Sequence, residues 1–228
     1  MRVHSIGAPD APALVLIHGL SSSHRGWSKN LVGLGAGRRL VVVDLFDRSA
    51  GPRFQLADQA ASLADALAGE PHPVAVIGHS LGGLVAMELA AGWPPLVDRL
   101  VLVDVPALRP VASLPQRLRS LVRPGTLADA RSVALVTATV IAANPIQLMA
   151  ATALSTRSHL PETAAAIRQP TLLIWGRNDS IVPLEIGERL ARLMPNARLT
   201  VIAGAAHQPH WETPDAFHAA VSAFLSES

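Results

Sequence analysis

The chain has 228 residues, a length that favours one domain able to bury a core of its own. Half of the residues are hydrophobic and only 16% are charged, which excludes a long disordered or polar binding chain. The formal charge is +2, and the pI of 10.3 reflects a basic set made almost wholly of arginine with Lys29 as the one lysine, so no nucleic-acid partner is expected.

With no cysteine, the chain has no disulfide framework, no thiol nucleophile and no cysteine-ligated zinc site. The first residues, MRVHSIGAPDAP, lack the apolar stretch of a secretory signal, and the expected location is cytoplasmic. Ser132 to Thr156 is uncharged and long enough to cross a bilayer. Thr137, Thr139, Asn144, Pro145, Gln147 and Thr152 interrupt it, however, and Asn144-Pro145 reads as a helix cap followed by a first helical residue. Two short apolar helices, with no membrane insertion, are expected there.

Continuous Val/Leu/Ile-rich runs mark buried strands at Ala13–Ile17, Leu40–Val43, Val74–Ile77, Leu100–Val103, Thr171–Trp175 and Leu199–Ile202. Between them, Gln55–Ala68, Leu81–Ala91, Leu184–Met194 and Asp215–Leu225 carry apolar residues at helical spacing, with Pro183 and Pro214 near two of the starts. This alternation predicts an α/β fold with a mostly parallel, doubly wound sheet and functional loops at the strands' carboxyl ends. The pattern breaks between Pro106 and Gln169, where Pro115, Pro124-Gly125, Asn144-Pro145 and Pro161 cut a long segment into short helices. Residues 106–169 are therefore expected to form a helical lid, inserted after the strand ending near Val103 into a core made of 1–105 and 170–228.

The strand Val74–Ile77 runs straight into Gly78-His79-Ser80-Leu81-Gly82-Gly83 and then a helix. A G-x-S-x-G between a strand and a helix is the pattern of a nucleophile elbow. Its tight turn pushes Ser80 clear of the sheet, and its glycines let strand and helix approach. A serine hydroxyl needs a histidine base, and that base needs an acceptor to hold its tautomer. Asp179 follows the strand Thr171–Trp175, and His207 follows Leu199–Ile202, giving the chain order Ser, Asp, His. Asp104, at the end of the strand Leu100–Val103, competes for the acid role, and His210 competes for the base role. No histidine pair at i, i+4 with a nearby glutamate supports zinc, and neither a metal nor a cofactor is expected.

These motifs resemble those of the α/β-hydrolase superfamily, in particular its small bacterial carboxylesterases and enol-lactonase-like serine hydrolases. Leu16-Ile17-His18-Gly19-Leu20 with Ser23 and Trp27, the elbow at 78–83, Trp175-Gly176-Arg177-Asn178-Asp179 and the HQPHWETP run at 207–214 carry the resemblance over nearly the whole chain. It implies an oxyanion hole from the backbone N–H groups of Leu20 and Leu81, with His18, Gly19 and His79 shaping the substrate pocket. Three departures stand out. Residues 44–51 lack the usual glycine-rich loop, Ala206 replaces a common glycine, and the residues before Ala13 leave room for one strand near Arg2–Ile6, hence about seven in all.

The expected chemistry is acyl transfer to water. Apolar lid residues, Val136 and Val140 among them, suggest a pocket for a small apolar ester or lactone. Arg109, Arg117, Arg119 and Arg123 would suit an acidic acyl carrier protein delivering an ester or thioester. A ligand-binding receptor on a hydrolase scaffold is the third reading.

Overall fold

In the computed structural model, which describes residues 1–20, 22–46, 53–71, 73–108, 149–154 and 160–227, seven strands form one sheet. They are β1 (Arg2–Ile6), β2 (Ala13–Ile17), β3 (Arg39–Asp44), β4 (Val74–His79), β5 (Val97–Val103), β6 (Thr171–Gly176) and β7 (Ala197–Ile202). Their spatial order is β1-β3-β2-β4-β5-β6-β7. β1 runs antiparallel to β3, with Arg2 opposite Asp44, and the remaining neighbours pair in parallel. Each strand expected from the sequence is present, and β5 begins three residues earlier than its apolar run because Val97 is already buried.

The helices are α1 (Leu31–Gly35), α2 (Leu56–Leu67), α3 (Leu81–Gly92), α4 (Pro161–Ala166), α5 (Leu184–Leu193), α6 (Pro209–Glu212) and α7 (Pro214–Leu225). Short 3₁₀ turns occupy His24–Trp27 and Pro94–Leu96, and residues 149–154 are helical. The period-two alternation of β2 shows how the layers form. Leu14 and Leu16 join Trp27, Leu34, Phe217, Val221 and Phe224 on the face covered by α1 and α7. Val15 and Ile17 join Leu63, Leu84, Val85, Ile186 and Leu190 on the face covered by α2, α3 and α5. Both faces of the central strands are thus dry, which is why their sequences are continuously apolar.

The interval expected to form a lid is described only at 106–108, 149–154 and 160–169. Val136, Val140 and the arginines at 109, 117, 119 and 123 lie outside the described residues. At the described ends, Ala107, Leu108, Ala151 and Ala164 are buried against the α2/α3 face, and the Leu160 N–H donates to the Ala107 carbonyl at 2.8 Å. Among the described residues no helix is long and apolar enough to cross a membrane.

Candidate active site

The carboxyl ends of β4, β6 and β7 deliver Ser80, Asp179 and His207 to one place. Ser80 links β4 to α3 with φ 50° and ψ −116°, a left-handed conformation that costs a non-glycine residue roughly 1–3 kcal/mol. Its N–H donates to the Val103 carbonyl at 2.8 Å, and its carbonyl accepts from Gly83 and Leu84, so the turn is held from both sides. The close approach demands glycine: a Cβ on Gly78 would stand 2.6 Å from the Gly82 carbonyl oxygen and 2.7 Å from the Gly83 Cα. The turn leaves the Ser80 hydroxyl 3.1 Å from His207 Nε2. His207 Nδ1 lies 2.7 Å from Asp179 Oδ2, and the other carboxylate oxygen accepts from the Ile181 and Val182 amides at 2.7 and 2.9 Å. Because Asp179 takes a proton donor at Nδ1, Nε2 presents its lone pair to Ser80. The Asp179 side chain is fully buried and that of His207 is 13% exposed, so water reaches the imidazole but not the carboxylate.

The loop after β2 lies against this trio. A Cβ on Gly19 would stand 3.1 Å from the Ser80 Cβ and 2.7 Å from His79 Nδ1, which brings the Gly19-Leu20 backbone beside the serine. Leu81 is the first residue of α3, and its N–H has no intrahelical acceptor. His18 and His79 are buried and serve as struts between loops. His18 Nδ1–H donates to the Gly19 carbonyl at 2.7 Å, and its Nε2 accepts from the Leu45 N–H at 3.0 Å. His79 Nε2–H donates to the His207 carbonyl at 2.7 Å, tying the elbow to the loop after β7. Burial holds both imidazoles below their ordinary pKa, His79 strongly so.

Asp104 and His210 also sit here. Asp104 ends β5 with φ 48° and is wholly buried; its Oδ1 accepts from the Gly176 N–H at 3.1 Å. Among the described residues its Oδ2 has no hydrogen-bond partner. Burial first, and the Asp179 charge second, push its carboxyl well above the usual carboxylate range. His210 packs 4.6 Å from both the Trp27 and His79 rings, and burial drives its pKa from 6.5 to about 3. Its place is in the packing behind the trio, and the ring bonded to Ser80 is that of His207.

Sequence reasoning missed the clamp on the His207 loop. The Glu212 carboxylate accepts from the Ala206 amide and, at 3.2 Å, from the Gln208 amide, bracketing His207. The lone acid in the run HQPHWETP was the available signal. Asn30 was missed as well: its Nδ2–H donates to the His210 carbonyl at 2.9 Å, and its Oδ1 accepts from His218 Nε2–H at 3.0 Å.

The α/β-hydrolase family model matches residues 14–220, nearly the whole sheet with the trio inside it. The chain belongs to the α/β-hydrolase family. This hydrolase is 30% identical to a protein of Pseudomonas syringae pv. syringae named as a carbamate hydrolase, RutD, over 98% of this chain and 97% of the other. It is also 30% identical to the 2-hydroxy-6-oxononadienedioate/2-hydroxy-6-oxononatrienedioate hydrolase of Burkholderia vietnamiensis, over 93% and 86% of the two chains. Among solved structures, a hydrolase from Pseudomonas aeruginosa PA01 superposes with a TM-score of 0.85 at 26% identity, covering 99% of this chain and 94% of that one.

Proposed function

We propose that this hydrolase is a serine carboxylesterase for a small apolar ester or lactone, with Ser80 as nucleophile, His207 as general base and Asp179 as its orienting acid. The observation that carries the reading is the continuous hydrogen-bonded chain from the Ser80 hydroxyl through both His207 nitrogens to a buried, amide-anchored carboxylate. In the forward step, Ser80 Oγ forms a bond to the substrate's carbonyl carbon while its proton passes to His207 Nε2, and Asp179 stabilises the imidazolium that results. The negative charge that develops on the carbonyl oxygen falls to the Leu20 and Leu81 amides, each worth about 2.7–4 kcal/mol to the transition state if it behaves as a typical donor. Collapse expels the alcohol, which takes the proton from His207, and a water activated by the same imidazole then frees the acid. Leu20 and Phe46, partly buried apolar side chains just beyond the carboxyl ends of β2 and β3, support an apolar substrate. Residues 106–169, with Val136 and Val140, would complete the pocket as a lid.

A carbamate is the second reading, favoured by the name of the Pseudomonas syringae relative; the same serine would attack its carbonyl. The test is hydrolysis of p-nitrophenyl esters from acetate to decanoate, and of a p-nitrophenyl carbamate, by the wild-type chain and Ser80→Ala. Ser80-dependent turnover of a short ester, with a chain-length optimum, is the expected result. Ser80-dependent cleavage of the carbamate alone would replace the ester reading with the second one. A folded wild-type chain that turns over neither would remove both and leave the carrier-linked acyl and receptor readings.

A further inference from the structure

Away from the trio, two histidines and a carboxylate meet where β1, β3 and the turn after β2 come together. His4 Nε2 and His24 Nδ1 stand 3.0 and 2.7 Å from the same oxygen, Asp44 Oδ2, and the three ligand atoms lie within 4.8 Å of one another. Each residue arrives for a different structural reason. In the antiparallel register Arg2 faces Asp44 and His4 faces Val42, so His4 and Asp44 are diagonal neighbours on one face of the sheet. His24 opens the 3₁₀ turn His24–Trp27, and its N–H donates to Asp44 Oδ1 at 2.6 Å. That amide fixes the carboxylate's rotation and aims Oδ2 at the two rings, the kind of outer-shell bond that orients ligands in metal sites. The rings lie 4.3 Å apart, and the His4 and His24 side chains are 41% and 36% exposed, so the cluster is open to an ion from solvent.

We propose that His4, His24 and Asp44 bind one divalent transition cation of the zinc class, at a site separate from the serine centre. Two imidazoles and one carboxylate are a donor set that suits zinc, nickel or copper, whereas calcium and magnesium demand an all-oxygen shell. Ligands 2.0–2.1 Å from a tetrahedral ion stand about 3.3 Å apart. The two separations from Asp44 Oδ2, 3.0 and 2.7 Å, therefore need to open by about 0.3 and 0.6 Å when the ion replaces the shared protons. Neutral imidazoles reach the binding form by moving the proton to the other ring nitrogen. The site links the edge strand β1 to the turn that follows Gly19-Leu20, and occupancy would staple both to β3.

The test is calorimetric titration of the tag-free, chelator-stripped chain with zinc and, separately, magnesium, for the wild type, a His4→Gln/His24→Gln double variant and His207→Gln. The expected result is one zinc per wild-type chain, no magnesium, at least tenfold weaker zinc binding by the double variant, and unchanged zinc binding by His207→Gln. Zinc at a hundredfold excess over Kd should raise the wild-type Tm by about 5 °C or more and leave the double variant's Tm unmoved. If the double variant does not fold, His4→Gln alone, on an exposed edge strand, gives the same reading. Zinc binding that survives loss of His4 and His24, that disappears with His207, or that is absent from the wild type overturns the proposal.

Discussion

Two buried aspartates lie beside one histidine, and their environments separate their roles. Asp179 receives two amide protons on one oxygen and the His207 Nδ1–H on the other, a setting built for a carboxylate. Among the described residues one Asp104 oxygen has no hydrogen-bond partner, and burial and the charged neighbour push its carboxyl well above the usual carboxylate range. Asp179→Asn should therefore cost ester turnover on the order of 10⁴-fold, because an amide donates to His207 and reverses its tautomer. Asp104→Asn, at a carboxyl whose ionisation burial already disfavours, should cost less than tenfold. Equal losses in kcat for the two variants would reverse the assignment of the acid. Ser80→Ala should abolish turnover while leaving the unfolding free energy from urea denaturation within about 0.5 kcal/mol of wild type, since alanine occupies the same strained backbone position.

At the level of elements, the strands and the elbow were legible and the short turns were not. β2, β4 and β6 are buried on both faces, so their apolar runs have no polar interruption to misread. The elbow was legible because its glycines are forced by backbone contacts. Gly78→Ala should accordingly lower stability by roughly 1–3 kcal/mol, measured by urea denaturation, and remove turnover as α3 is pushed off β4. By contrast, α1 is the five-residue LVGLG, whose two glycines lower its helix propensity; its position comes from Leu34 in the core and from the Asn30 bridge to His210. The His24–Trp27 turn is likewise set by tertiary bonds to Asp44, twenty residues away, which local pattern does not reveal. Sequence order named the trio, but Glu212 and Asp104 take their environments from partners that only the assembled sheet supplies.

Across the whole molecule, buried titratable groups set how stability follows pH. His210 is neutral in the fold with a pKa of about 3 against 6.5, so below about pH 6.5 the unfolded chain binds the extra proton and stability falls toward pH 3. One such group contributes about 1.4 kcal/mol per pH unit over that window, and His79 and His18, also depressed, add to the same limb. Asp104 has the opposite sign: its contribution is complete at acid pH and is lost as pH rises above the ordinary carboxylate range. His210→Phe should flatten the acid limb between pH 6.5 and 4 by about one proton, read from urea midpoints at several pH values, and Asp104→Asn should stabilise the chain at pH 8 relative to pH 5. An unchanged acid slope in His210→Phe would place that proton elsewhere.

The strand order also sets a schedule for synthesis. Ser80 lies between β4 and α3, whereas its partner is made 127 residues later, after β7. At about 5–20 residues per second, the ribosome leaves Ser80 without His207 for roughly 6–25 s. A nascent chain that has already shaped the turn around Ser80 therefore lacks the Ser80–His207 hydrogen bond until the sheet's far edge has been added.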